Sequence, residues 1–268
     1  MTPELIQLLE ISSEERVAGG CIHDCYRVSI GGTTRFLKTN SANYRDAFAA
    51  EADGLAALRA AGIRAPEAFS HGVTEGRAYL VLEYLDLGGR QDFAALGRML
   101  ASAHRKPGAR FGWRRDNYIG ATPQQNSWSE DWTDFWMERR LRPQVELARG
   151  NGFSLTVPSS KVLEGHQPVA SLLHGDLWSG NAGFTTEGPV VFDPAVYYGD
   201  READLAMTEL FGGFSREFYR AYDEAWPLDE GYERRKPMYN LYHLLNHLNL
   251  FGAGYLGQVE ATLSRLQR

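Results

Sequence analysis

The sequence predicts an α+β protein of two lobes, a small N-terminal lobe with a five-stranded antiparallel sheet and one helix, and a larger, mainly helical C-terminal lobe. Three observations support this fold class. Short apolar segments separated by turn residues fill the first third of the chain. One alanine-rich segment with helical spacing interrupts them. Beyond residue 87, apolar residues recur mainly at helical spacing.

The strands and the helix of the N-terminal lobe follow from turn residues at their ends. Gly31-Gly32 gives a hairpin signal between the second and third strands. A helix is expected over residues 44–61, because Phe48, Leu55 and Leu58 lie among alanines and Gly62 follows as a C-terminal stop. The expected strand ranges are 16–20, 26–30, 35–38, 66–70 and 78–84.

The boundary between the lobes is predicted at Leu87-Gly88-Gly89, where paired glycines follow a strand and break the pattern. The lobes would then cover residues 1–86 and 87–268. Residues 170–192 interrupt the helical pattern, since short apolar runs alternate there with glycines and predict a loop between short strands. Helices are expected over residues 93–104, 128–149, 205–226 with a break near Gly212-Gly213, and 233 to the C-terminus.

Composition excludes several classes of function. The 268 residues carry a formal charge of -6 and a pI near 5.7, so the basic field that nucleic-acid binding requires is absent. No apolar run approaches the roughly 20 residues that span a bilayer, and the first residues show no leader pattern. Cys21 and Cys25 are too few for a disulfide framework or a zinc site. We therefore expect a cytoplasmic protein whose partners include neither nucleic acid nor membrane.

Asp176, Asn181 and Asp193 form the constellation that carries chemistry. Phosphoryl transfer needs one carboxylate to orient and deprotonate a hydroxyl, and an amide oxygen and a second carboxylate to hold Mg²⁺ against nucleotide phosphates. Each Asp taken alone is more often a turn cap or a strand end. The three together predict Asp176 as the catalytic base, Asn181 and Asp193 as magnesium ligands, and ATP as the cosubstrate.

The N-terminal lobe supplies matching candidates for the nucleotide. Lys38 ends the third predicted strand and Glu51 lies in the next helix, which is the order of the phosphate-contacting ion pair of kinases. Either residue alone would be read as a solvated charge. Further candidates are a phosphate loop at Gly19, Gly20, Cys21 and Ile22, for which an ordinary hairpin turn is the open alternative, and an adenine-binding backbone at Glu83, Tyr84 and Leu85.

The segment LLHGDLWSGN at 172–181, with FDPA at 192–195 and YGDREADLAM at 198–207, resembles the fructosamine/ketosamine-3-kinase family. Further similarity at 116–120, 132–141 and 241–247 extends the resemblance over nearly the whole chain. It implies a protein-kinase-like fold related to aminoglycoside phosphotransferases. It also implies ATP-dependent phosphorylation of the sugar 3-hydroxyl of ketosamines, which are adducts of sugars with small amines or with protein lysines.

The resemblance also carries roles for single residues. It implies Asp176 as base, Asn181 and Asp193 as Mg²⁺ ligands, and Lys38 with Glu51 as the ion pair. Trp178 lies two residues past Asp176 and is a candidate stacking wall for the substrate, with a core aromatic as the alternative. His247 is similar to a family position that faces the sugar pocket, with a packing histidine as the alternative. Cys21 matches a family position that resembles a redox switch, in which the cysteine forms intermolecular disulfides. A monomer, a redox-linked homodimer and an inert thiol are all open.

An acidic stretch follows at Asp200, Glu202 and Asp204. Helix capping and solvation are preferred there over attraction of a substrate amine.

Differences from the protein-kinase motifs exclude one mode of regulation. His174-Gly175-Asp176 replaces His-Arg-Asp, and Asp193-Pro194-Ala195 replaces Asp-Phe-Gly. About ten residues separate Asp193 from the next helix, which excludes control through a long phosphorylated activation segment. A related phosphotransferase for an aminoglycoside, choline or another sugar is the second hypothesis. A non-catalytic nucleotide-binding module comes last, because no residue of the constellation is lost.

Overall fold

A five-stranded antiparallel sheet forms the N-terminal part of the chain. The computed structural model describes residues 1–17 and 22–267. The strand order is β1-β2-β3-β5-β4, which confirms the predicted sheet. β1 begins five residues before the predicted range, because its central residues are polar and exposed on an edge strand and give no apolar alternation. The strands are β1 Ile11–Val17, β2 Asp24–Ile30, β3 Thr33–Ser41, β4 Ala68–Thr74 and β5 Arg77–Glu83.

A helix covers each face of this sheet. α1, Pro3–Leu8, was not predicted, and at six residues it is too short to show periodicity; its Leu5 packs on Leu37 and Val81. α2, Arg45–Ala60, covers the opposite face and agrees with the prediction within one residue at each end. The alternation along β5 places Val81 against α1, while Leu80 and Leu82 join the main core that α2 shares.

The rest of the chain is mainly helical. The predicted helix 128–149 begins only at Trp132, because Asp131 caps it by accepting a hydrogen bond from the amide of Asp134. The predicted C-terminal helix is interrupted at Gly252, whose φ of 86° no continuous helix accommodates. The helices are α3 Phe93–His104, α4 Trp132–Trp136, a π-helical segment Met137–Leu141, α5 Arg142–Gly150, α6 Arg201–Leu210, α7 Arg216–Ala225, α8 Tyr232–Phe251 and α9 Leu256–Leu266.

Short strand pairs frame the segment that the sequence predicted as a loop. β8 pairs with β11, and β9 pairs with β10, both antiparallel. A further hairpin, β6–β7, was not predicted, since its strands have only three residues each. The ranges are β6 Asn117–Ile119, β7 Thr122–Gln124, β8 Ser171–Leu173, β9 Ala182–Thr185, β10 Gly188–Val191 and β11 Tyr197–Gly199.

The segment after β5 runs close against β9. The amide of Gly89 donates to the carbonyl of Phe184, and a Cβ at position 89 would lie 2.0 Å from the carbonyl oxygen of Thr185. Only glycine permits this approach. The lobe boundary at 87 stays a prediction. Among the described residues, no helix combines the length and apolar character that crossing a bilayer requires.

Replacing Gly97 with alanine should destabilise the protein. Gly97 lies where α3 meets α7, and a Cβ there would come 2.4 Å from the carbonyl oxygen of Phe218. Overpacking of this kind costs about 1–3 kcal/mol, so the melting temperature should fall by several degrees. The matched control is Gly257→Ala in α9, where an added Cβ meets nothing within 4 Å. That variant should be neutral or slightly stabilising, and equal melting temperatures for the two variants would contradict the close packing.

Candidate active site

One cavity of about 560 Å³ lies between the sheet and the loop that follows β8. It brings together the five residues that the sequence singled out for phosphoryl transfer, Lys38, Glu51, Asp176, Asn181 and Asp193. The predicted residues Ile22, Glu83, Leu85, Trp178 and His247 also line it. Tyr84 does not, and its ring lies 5.3 Å from the guanidinium of Arg27. Gly19, Gly20 and Cys21 lie outside the described residues.

Lys38 is the buried cation of the cavity. Its Nζ lies 2.7 Å from Oε1 of Glu51 and 2.5 Å from Oδ1 of Asp193. Burial opposes the positive charge, but the two carboxylates outweigh it and hold the pKa of Lys38 above its usual value. The side chain therefore stays protonated and connects β3, α2 and the segment after β10.

The loop between β8 and β9 is held at its start by Asp204 of α6. The buried carboxylate of Asp204 accepts hydrogen bonds from the backbone amides of His174, at 2.7 Å, and Gly175, at 2.8 Å. His104 lies 3.3 Å from the same carboxylate. Burial opposes ionisation of Asp204, but these donors keep its pKa below the ordinary value. An ionised, buried acceptor thus anchors the backbone immediately before Asp176.

His174 and Gly175 connect the loop to the segment that carries Asp193. Nδ1 of His174 accepts from the amide of Asp176 at 3.3 Å, and its Nε2 donates to the carbonyl of Phe192 at 3.0 Å. Gly175 has φ of 82°, and a Cβ there would lie 2.1 Å from the carbonyl oxygen of Ala195. A side chain at position 175 would push the two segments apart. The backbone geometry therefore requires glycine at position 175, and the ring of His174 joins the two segments.

Asp176 and Asn181 face each other within the loop. Nδ2 of Asn181 donates to the carbonyl oxygen of Asp176 at 2.9 Å and lies 3.3 Å from its Oδ2. Burial first, and then the negative charges of Asp193 and Asp204, raise the pKa of Asp176 to about 7. The carboxyl group is therefore more basic than that of a solvated aspartate.

Asp193 and Asn181 have the right donor atoms for Mg²⁺. Asp193 adopts a φ of 57°. Backbone hydrogen bonds hold the chain on both sides of it, from the amide of Phe192 to the carbonyl of Asn181 and from the amide of Ala195 to the carbonyl of His174. Within the described part of the chain, no donor reaches Oδ1 of Asn181 or Oδ2 of Asp193. An amide oxygen and a carboxylate oxygen, both facing one cavity, suit a hard cation that prefers oxygen ligands.

Trp178 and His247 both line the cavity, but in different surroundings. Trp178 is 38% exposed, which excludes the alternative of a buried core aromatic. His247 lies among Phe211, Phe251 and Tyr255, with ring centroids 4.8, 5.5 and 5.1 Å away. Its Nδ1 donates to the carbonyl of His243. Contact of either residue with a substrate stays a prediction.

The acidic stretch before and within α6 corrects one expectation. Asp200 caps α6 as preferred, accepting from the amide of Glu202. The expectation that these acids are solvated is wrong, because Asp200, Glu202 and Asp204 are all buried. Glu202 forms a bidentate pair with Arg235, and Asp204 anchors the loop. The role of Asp204 was missed from the sequence, because an acid in the first turn of a helix is typical of capping.

The sequence model of the fructosamine kinase family matches residues 2–268. The chain belongs to the fructosamine kinase family. A protein of Synechocystis sp. named "Probable ketoamine kinase" is 48% identical, over 98% of this chain and 92% of its own. A chloroplastic protein of Arabidopsis thaliana named protein-ribulosamine 3-kinase is 41% identical, over 93% of this chain and 80% of its own. The 268-residue chain, as a member of this family, is an ATP-dependent phosphotransferase.

Solved structures agree with the fold. A protein of Haemophilus somnus named "Putative fructosamine-3-kinase" superimposes with a TM-score of 0.91 at 30% identity, covering 96% of this chain and 92% of that one. The aminoglycoside phosphotransferase APH(4)-Ia, in a complex with ADP and hygromycin B, superimposes with a TM-score of 0.65 at 15% identity, covering 98% and 95%. The second likeness shows the fold alone. The predicted kinase-like fold is confirmed, and an aminoglycoside phosphotransferase shares it.

Replacing Asp204 with asparagine should weaken both stability and phosphate transfer. Asparagine offers one acceptor oxygen and turns a donor toward the loop, so one buried backbone amide loses its partner. A buried donor without a partner costs about 1–3 kcal/mol, and the backbone before Asp176 would lose its fixed position. Thermal unfolding and the rate of phosphate transfer from ATP measure the two effects. The control is Asp131→Asn, because asparagine caps α4 as well as aspartate does. A normal rate in Asp204→Asn would refute the anchoring role.

Proposed function

We propose that this protein transfers the γ-phosphoryl group of ATP to the 3-hydroxyl of a ketosamine. The observation that carries the proposal is that Asp176 shares one cavity with the Lys38–Asp193 ion pair and with Asn181. The names of the relatives, ketoamine kinase and protein-ribulosamine 3-kinase, support the class of acceptor. The acceptor is the adduct of a sugar with either a small free amine or a protein lysine.

The nucleotide side of the reaction is assigned to Lys38, Glu51, Asn181 and Asp193. Glu51 holds the ammonium of Lys38 in the cavity, where it contacts the phosphates of ATP. The free oxygens of Asn181 and Asp193 would hold Mg²⁺, which neutralises charge on the transferred phosphoryl group. Lys38 occupies only Oδ1 of Asp193, so its Oδ2 is available for the metal.

Adenine is assigned to the end of β5. The side chain of Glu83 is occupied by Arg64, at 2.5 and 2.8 Å, and its amide donates to Glu67. The amide of Leu85, in contrast, donates to no described backbone carbonyl. Backbone groups at 83–85 would therefore bind the base, with Phe36 and Leu82 as apolar walls. The amides of the loop at Gly19, Gly20, Cys21 and Ile22 would cover the phosphates.

Asp176 is assigned the role of general base. Its carboxylate would accept the proton of the sugar hydroxyl as that oxygen attacks the γ-phosphorus in line. Its raised pKa, caused first by burial, makes it a better proton acceptor than a solvated aspartate. Trp178, exposed at the cavity, and His247 would contact the sugar adduct. Positioning and charge neutralisation supply most of the catalysis in such a site.

Asp176→Asn should abolish most phosphate transfer without loss of the fold. Loss of a general base lowers kcat by about 10²- to 10⁴-fold. The measurement is ATP-dependent incorporation of phosphate into a small fructosamine and a ribulosamine, with hygromycin B and choline as competing acceptors. The exposed cap residue Asp92, replaced by asparagine, serves as the matched control. Full activity of Asp176→Asn would reject the base, and turnover of hygromycin B or choline without any ketosamine would reject the acceptor.

We further propose a reducing, cytoplasmic location, which the low cysteine content supports.

We also propose that Cys21 forms the intermolecular disulfide of a redox-linked homodimer. Cys25 cannot fill that role, because it is buried, and burial raises the pKa of its thiol and keeps it unreactive. Peroxide should therefore produce a disulfide-linked dimer that reductant reverses. Cys21→Ser should stay monomeric under peroxide on a non-reducing gel, while Cys25→Ser should dimerise like the parent. A dimer in the Cys21 variant would contradict the proposal.

A further inference from the structure

His243 of α8 is a buried residue directly behind the proposed base. Its side chain is almost fully buried, and its Nδ1 has no hydrogen-bond partner within residues 1–17 and 22–267. Oδ1 of Asp176 lies 3.9 Å from this nitrogen. The ring packs against Tyr242 at a centroid distance of 5.2 Å. A buried polar atom without a partner is costly, so one aimed at a carboxylate calls for an explanation.

The charge state of His243 determines what it can do for Asp176. Burial first, and then the neighbouring His247, lower the pKa of His243 to about 3. The ring is therefore neutral and carries one proton. Because Nδ1 faces a carboxylate oxygen and no donor, the favourable tautomer has the proton on Nδ1. A neutral N–H donor can orient the carboxylate without neutralising it, whereas a cation would form a salt bridge and make Asp176 a weaker base.

Asp176 has one oxygen that is already oriented. Asn181 lies 3.3 Å from Oδ2, while Oδ1 accepts from no described donor and faces His243. A carboxylate held at one oxygen can still rotate about its Cβ–Cγ bond. A second donor, on the other oxygen, would fix the plane of the carboxylate.

We propose that, in the reacting complex, Nδ1–H of His243 donates a hydrogen bond to Oδ1 of Asp176 and makes His243 the residue that positions the base. The proposal rests on the proposed role of Asp176. The gap to close is small, since 3.9 Å exceeds an N–H···O hydrogen bond by about 1 Å, and such bonds in catalytic sites tighten when substrates bind. His243 neither touches the substrate nor accepts the proton. Its effect should appear in kcat.

Three substitutions separate the donor from the space that the ring fills. Asparagine places its amide nitrogen near the position of Nδ1, glutamine places its own near Nε2, and leucine removes the donor. His243→Leu should lower kcat by about 10- to 100-fold, the value of a hydrogen bond to a charged group, with the KM for ATP nearly unchanged. His243→Asn should recover most of kcat, and His243→Gln should not. Leu244→Val, a buried change on the same helix without a polar atom, should leave kcat unchanged.

The outcomes are distinguishable from a general loss of structure or of function. Thermal unfolding and ATP affinity are measured for every variant, and if His243→Leu does not fold, the comparison of Asn with Gln decides. Equal kcat for Asn and Gln overturns the proposal, as does a raised KM for the acceptor at unchanged kcat. If the parent protein phosphorylates no ketosamine, the proposed function fails, and the same variants are then compared in ATP hydrolysis, in which Asp176 orients water. An unchanged hydrolysis rate in His243→Leu overturns the positioning role there too.

Discussion

The site depends on one buried cation. Lys38 contacts a carboxylate from α2 and another from the segment after β10, so a single charge joins β3 to the next helix and to a segment far along the chain. A buried ammonium without these partners would be strongly unfavourable, and so would the largely buried carboxylate of Glu51 without Lys38. The pair of bonds therefore ties β3 to α2 and to the segment after β10. All three parts of the chain line the cavity.

A second anchor works from the opposite side. Asp204 binds the backbone amides of His174 and Gly175, and the ring of His174 joins the loop to Phe192, so the backbone immediately before Asp176 is fixed without the side chain of Asp176. The lowered pKa of Asp204 keeps this buried carboxylate ionised, which makes each of its bonds to the loop charge-assisted. Within the described residues, Oδ1 of Asn181 and Oδ2 of Asp193 accept from no protein donor. Those two oxygens are the ones available to a metal.

Sequence reasoning recovered the sheet, α2 and the five residues that meet in the cavity, because turn glycines, apolar spacing and a compact motif are local signals. It missed α1 and the β6–β7 hairpin, which are too short for periodicity, and it extended the C-terminal helix through Gly252, where a glycine signal was present and overlooked. It also took Asp204 for a solvated or capping acid and passed over His243. Their roles arise from contacts with the loop across long stretches of chain, which no local pattern encodes.

The segment from Pro194 to Gly199 is buried at nearly every position and pairs with β8 as β11. Its backbone is also tied to His174 and Gly112, so it has no free stretch that could swing between two arrangements. A protein kinase gates its activity in the corresponding region by ordering and disordering a long segment. Here the same stretch is a permanent part of the core. Control by ordering and disordering of this segment is therefore excluded, and any regulation of turnover has to act on another part of the protein.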